Sequence, residues 1–370
     1  MAGAFKYGHS AIPQWSEAVQ ACLSQIGEIP ETANLGFIYV TDLLANRLAD
    51  ILNLLKESTG ITHWIGTAGI GICASGQEYL DQPAIAIMLG EFPNEAFRVF
   101  STIQSPSEIP NEVLVGNGSA YFGLVHGDPQ NPEIAELIEQ FAAKMESGFV
   151  VGGLTSSRHQ NVQVADDSTQ GGISGVVFSS DVAVTTRLTQ GVSPIGKSHE
   201  ITECDRNVII RIDGRPAFDV LKEEIGEVLS RDLNRVAGYI FVGLPIPGSD
   251  TGDYLVRNLI GIDVDQKVLA IGEYIQRGMP LMFCRRDGAS AVEDMERMLD
   301  GIKGQFTTQP KGAVYYSCLG RGESMFGPGS EELKMISRVL GEIPLVGFFA
   351  NGEISHNRLY GYTGVLTVFL

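Results

Sequence analysis

Three short stretches bring together side chains able to do chemistry. Arg321 stands between two glycines in Leu-Gly-Arg-Gly (319–322). Its planar guanidinium suits a carboxylate or phosphate gripped at two points, and glycines at 320 and 322 let the backbone turn sharply and clear space around it. A solvated surface arginine is the plain alternative. Asn351 and Glu353, in Asn-Gly-Glu, offer a donor, an acceptor and a negative charge for a ligand ammonium, or they form a simple turn. Cys318 ends an apolar run. It reads either as a small core hydrophobe or as a pocket thiol whose pKa Arg321 lowers.

Other chemistries find less support. A cysteine nucleophile needs a base, and no histidine lies near Cys318 in sequence. An N-terminal nucleophile needs Thr, Ser or Cys at the mature N-terminus, where Met1-Ala2 stand. The six histidines are isolated, with no pair at metal-ligand spacing, so no metal site is expected. His199, just past the glycine-bounded turn 191–196, is the one best placed to line a site. Gly69-Ile-Gly-Ile-Cys-Ala matches a dinucleotide fingerprint by letters, but Ser75-Gly76 and Pro83 deny the helix that must follow. The segment 243–250 is rich in Gly and Pro but lacks the lysine of a phosphate loop, and reads as a turn. No cofactor is expected.

The elements that position these residues recur. Residues 313–318 form an apolar, β-prone run, Leu333, Ile336, Val339 and Leu340 follow at helical spacing after Ser330 as N-cap, and 345–349 begin a second strand behind Pro344. The same strand, helix, strand, strand succession is expected over 35–89 and over 121–178. The three copies centre on Ile65-Gly66, Val151-Gly152 and Val346-Gly347; the bland alternative is that any strand–helix–strand unit looks like this. Between the second and third copies lie strand-like runs, a helix opened by Pro216 and a hairpin through 255–271. The weakest link is 231–238, which divides the chain into domains 1–230 and 231–370. The fold implied is α+β, with repeated strand–helix–strand–strand units and largely antiparallel sheets under outer helices. An αββα sandwich is attractive because its sheets would cover each other.

Composition bounds the partners. A net charge of −18 repels nucleic acid. No apolar run approaches the roughly 20 residues of a membrane span, and the first residues lack a signal-peptide core. Five scattered cysteines without Cys-x-x-Cys suit reduced thiols in the cytoplasm. Glycine supplies 44 of 370 residues, well above the usual share of about 7%, with no low-complexity run to account for it.

The stretches Ser-Cys-Leu-Gly-Arg-Gly (317–322), Gly-Phe-Phe-Ala-Asn-Gly-Glu-Ile (347–354) and Gly-Tyr-Thr-Gly (361–364) resemble the C-terminal part of the FIST domain family. Upstream, Gly-Gly-Leu-Thr-Ser (152–156), Thr-Gln-Gly-Val-Ser-Pro-Ile-Gly (189–196) and Asp-Gly-Arg-Pro-Ala (213–217) extend the resemblance over nearly the whole chain. These are predicted intracellular sensory domains of bacterial signalling proteins, with a eukaryotic F-box relative. The resemblance implies a cytoplasmic, non-catalytic sensor of a small amino-acid-like or other anionic or zwitterionic metabolite, signalling through a separate protein partner. Arg321, Gly322, Cys318, Asn351 and Glu353 would meet that ligand from one half. Gly152, Gly153, Thr155, Gln190, Gly191 and His199 would form the facing wall. Gly71 stands where the pattern leads one to expect an acid, which leaves the first copy's role open. The alternatives are a cysteine-dependent hydrolase or transferase using Cys318, and a protein-interaction module.

Overall fold

Leu35–Thr41 and His63–Gly69 are buried strands joined through the helix Leu48–Thr59, and they pair in parallel. Phe122–Gly127 and Phe149–Leu154 do the same through Ile134–Ala142. Gly312–Cys318 and Leu345–Ala350 do it again through Glu331–Leu340. This computed structural model describes residues 5–230, 236, 238–246 and 254–370. Apart from Val236 and Gly238, the 231–238 link lies outside the described residues, as do 247–250 of the Gly/Pro-rich turn.

The three copies share more than their order. In each, a last strand returns antiparallel to the first: Ile85–Gly90, Ile173–Phe178 and Thr363–Phe369. A further strand lies outside it: Lys6–Ser10, Phe97–Ile103 and Val184–Gln190. Each copy also sends out a hairpin that pairs with another copy's second strand. Gly71–Ala74 joins the third copy's sheet, Gln163–Ala165 joins the first's, and Glu353–His356 joins the second's. The exchange is cyclic, so three six-stranded sheets of the same order are tied in a ring. The fold is α+β with repeated units, as expected. The repeats build three sheets rather than the two of a sandwich, each completed by a hairpin from a neighbouring copy.

The repeat glycines explain why this pattern was legible. Gly66, Gly152 and Gly347 face Ile38, Val125 and Tyr315 across the parallel pair. A methyl group on each would lie 1.7, 1.8 and 1.8 Å from the partner's carbonyl oxygen, so only glycine permits the approach.

One residue along from those partners stand Tyr39, His126 and Tyr316, equivalent positions of the three first strands. Their rings meet edge-on with centroids 5.6, 6.2 and 6.1 Å apart. The Tyr39 hydroxyl contacts His126 Nε2 at 3.1 Å and the Tyr316 hydroxyl at 2.9 Å. Around this trio Phe37, Leu124, Val314 and Phe348 build one core shared by all three sheets. Helices cover outer faces: Leu48, Ile51 and Leu55 pack on the first sheet, and Leu137, Ile138 and Phe141 on the second.

All of this belongs to one compact unit, residues 1–189 with 294–370. The second unit, 190–293, leaves the chain between the third copy's outer and first strands. It carries its own seven-stranded sheet and a core of Ile209, Ile212, Leu221, Phe283 and neighbours under the helix Ala217–Ser230, which is kinked at Gly226. The first unit thus takes chain from both sides of Arg231.

Candidate functional site

Parallel strands joined through helices place their carboxyl ends side by side, where loops must turn and side chains are free to diverge. In the first unit these ends surround a cavity of about 300 Å³. Counting four residues past each repeat glycine gives Ile70, Ser156 and Asn351, and all three line it. Counting four past the partners on the first strands gives Asp42, Pro129 and Leu319, of which the last two line it. Gln130, Thr155, Ser157 and Asn161, all from the second copy, complete the wall. The lining contains hydroxyls, carboxamides and apolar groups, and no ionisable side chain.

The hydrogen bonds fix several of these groups. The Ser156 hydroxyl accepts from the Ile70 amide at 2.9 Å and donates to the Phe349 carbonyl, tying three copies together. Thr155 Oγ1 lies 2.7 Å from Thr67 Oγ1, and the Thr67 hydroxyl donates to the Val162 carbonyl at 3.0 Å. Buried Asp128 accepts from the Asn161 carboxamide (3.1 Å) and from the Gln130 (2.9 Å) and Gly171 (3.0 Å) amides. Asp42 is fully committed elsewhere. Arg158 grips it with Nε and Nη2 at 2.8 Å each, while its Nη1 reaches Asp81 at 2.7 Å.

The charged residues expected at the site lie in a sealed cluster instead. Arg321 Nε donates to Glu332 at 2.7 Å, both side chains having no exposed surface. Glu332 also accepts from the Tyr315 (2.6 Å) and Ser317 (3.0 Å) hydroxyls and the Gly322 amide (2.9 Å). The guanidinium rests 4.9 Å from the Phe326 ring centre. Beside it, burial and then the Glu332 and Glu323 charges push the Glu78 carboxyl up to about 7. Glu353 is also buried. Its Oε2 accepts from the Thr363 amide (3.1 Å) and hydroxyl (2.7 Å), and burial pushes the carboxyl up to about 8, with Arg321 pulling the other way. Burial, then Glu353, pushes the Cys318 thiol well above its ordinary range. Ser330 has a left-handed backbone and no capping bond; its hydroxyl accepts instead from the Glu78 amide at 3.0 Å.

Of the residues singled out in the sequence, Thr155 and Asn351 therefore meet at the cavity. Gly152 and Gly153 lie in the strand beside it, paired with Ile354 and Glu353. Cys318, Arg321, Gly322 and Glu353 stand around the buried cluster. Gln190, Gly191 and His199 belong to the second unit. There His199 bridges Asp213 (Nδ1, 2.8 Å) and Glu224 (Nε2, 3.0 Å), and Gln190 donates to the Tyr254 carbonyl. Sequence reading missed Gln130, Ser157 and Asn161, and also Ile70, Ser156 and Leu319. The signal for three of them was the repeat itself, counted onward from its glycines or from the residues those face.

Comparison with known proteins agrees with this architecture. The FIST N domain matches residues 34–215 and the FIST C domain matches 217–356. An uncharacterized protein of Mycobacterium tuberculosis is 29% identical over 341 residues, 88% of each chain. An uncharacterized protein of Mycobacterium bovis is 27% identical over 354 residues, 92% of this chain and 91% of its own.

Proposed function

Because this chain belongs to the FIST family, whose domains are signal-transduction sensory domains, we propose that it senses a small polar metabolite bound in the cavity where the three repeats meet. One observation carries this reading: repeat-equivalent Ile70, Ser156 and Asn351 all face the same cavity, so each copy contributes to one site. Its volume of about 300 Å³ lies at the small end of ligand pockets and suits a molecule of amino-acid size. An amino-acid-like ligand would be held by the hydroxyls and carboxamides of Thr155, Ser157, Asn161 and Asn351. Arg321 is already paired with Glu332, and burial raises the Glu353 carboxyl to about 8.

The proposal places the protein in the cytoplasm, passing its signal to a separate protein partner. Among the described residues no helix is long and apolar enough to cross a membrane, and the cysteines are free thiols. The reading as a cysteine enzyme has less support, since burial and Glu353 both oppose the thiolate at Cys318.

Thermal-shift screening of the twenty amino acids and their amides tests the proposal. At least one should raise the melting temperature of the native chain by several degrees, and Ser157→Ala with Asn351→Ala should abolish the rise. A ligand whose stabilisation survives both substitutions binds elsewhere and overturns the assignment.

A further inference from the structure

We infer that the group a ligand carries to the Asn161 wall of this cavity is a hydrogen-bond donor, an ammonium or amide N–H, and not a carboxylate. The inference rests on the cavity being the ligand site and adds the polarity of what enters it.

Asp128 is buried, and its oxygens already accept from two backbone amides. The Asn161 side chain lies 3.1 Å from Asp128 Oδ1, and a carboxylate can only accept, so the Asn161 amide nitrogen must face it. The carbonyl Oδ1 of Asn161 is then the end left for the cavity. Donation to a carboxylate also polarises that amide and strengthens its carbonyl as an acceptor.

Thr155 repeats the pattern. The Thr67 hydroxyl has one proton, and its contacts at 3.0 and 3.3 Å with the Val162 and Ala68 carbonyls require it to donate to one of them. In the 2.7 Å contact between the threonines, Thr155 is therefore the donor. Its remaining capacity is to accept. Ser156 adds no donor, since its proton goes to the Phe349 carbonyl. No cation stands in the lining, and Arg158, next in the chain after Ser157, has its guanidinium on Asp42 and Asp81. A carboxylate set against the Asn161 carbonyl would meet an acceptor with a buried anion behind it, and the donors of the lining, at Ser157, Gln130 and Asn351, belong to the other parts of the wall. An N–H would meet the Asn161 carbonyl oxygen, and Thr155, which has no exposed surface and gives its proton to Thr67, adds no competing donor.

Three probes of nearly one size separate the outcomes: propionamide, propylamine (protonated at neutral pH) and propionate. Their binding is read by ligand-observed saturation-transfer NMR and titration. Propionamide or propylamine should bind, and propionate should not. Asn161→Ala should weaken the bound probe about tenfold, and Asp128→Asn, which keeps the shape and removes the charge, several-fold. The unliganded melting temperature of each variant reports its fold, and Asp128→Asn keeps the test decisive should Asn161→Ala unfold. Amide and ammonium are distinguished by which responds more to Asp128→Asn. Binding of propionate without either donor overturns the polarity while leaving the cavity as the site. Silence from all three overturns both. Donor binding indifferent to Asn161 and Asp128 also overturns the inference.

Discussion

Two neighbouring regions of the first unit treat polar groups in opposite ways. Around Arg321, Glu332, Glu78 and Glu353, ionisable side chains are sealed from solvent and are answered in part by one another or by hydroxyls and amides, while Glu78 Oε2, Arg321 Nη1 and Glu353 Oε1 are buried without a hydrogen-bond partner among the described residues. Around Ile70, Ser156, Asn161 and Asn351, an open cavity is lined by groups that never ionise. The difference teaches that charge in a sequence marks where a fold must be tight as readily as where a ligand sits. A buried charge left unpaired is strongly destabilising, so the interior closes over its pairs. A cavity open to water has no such need.

The comparison breaks first at the strand beneath both regions. Gly347→Ala puts a methyl group where the Tyr315 carbonyl oxygen already lies, 1.8 Å away, and the parallel pair cannot open without losing its ladder. No folded, soluble protein is expected, as judged by circular dichroism of the purified variant. By contrast Gly60→Ala, at a left-handed helix end with no heavy atom within 4 Å of the added methyl, should cost about 1 kcal/mol and leave the fold intact.

Next comes the ion pair. Arg321→Ala strands a buried Glu332 and should lower unfolding free energy by about 3–5 kcal/mol in denaturant titration. The exposed Arg211–Glu203 pair of the second unit should contribute less than about 1 kcal/mol to the same measurement. A loss below about 1 kcal/mol at Arg321 would show the cluster to be loose and return that residue to candidacy as a ligand anchor.

A pH series sharpens the contrast further. Glu353 is held at about 8 in the fold against an ordinary 4.5, so the unfolded chain gives up that proton first as pH rises. Its contribution to stability is whole below about 4.5 and is lost progressively up to about 8. Burial lowers His126 to about 3 from 6.5, which works the other way: stability falls as pH drops below 6.5, because the unfolded chain takes the proton first. Glu353→Gln should flatten the alkaline decline between pH 5 and 8.5 and leave the acid limb unchanged. An unchanged alkaline decline would place the titrating group elsewhere.

The smallest effect is expected at the cavity. Asn351→Ala removes an exposed carboxamide and should change unliganded stability by no more than about 0.5 kcal/mol. A loss comparable to that at Arg321 would erase the distinction between the two regions.

What the sequence determined by itself was local and periodic. Strand–helix–strand order, the buried faces and the three glycines at Gly66, Gly152 and Gly347 follow from short-range sterics and hydrophobic spacing, and are written residue by residue. Part of the candidate site's lining was legible too, since Thr155 and Asn351 lie just past two of those glycines. Tertiary structure alone decided the rest. Arg321 finds Glu332 eleven residues away rather than Glu353, because the helix Glu331–Leu340 carries that carboxylate into the space under the strand. The hairpin of each copy joins a foreign sheet, a choice among equivalent edges that no single segment encodes. The cavity exists only where three such choices close a ring, and the Asn161 carboxamide is oriented there by its hydrogen bond to Asp128, thirty-three residues away in the chain.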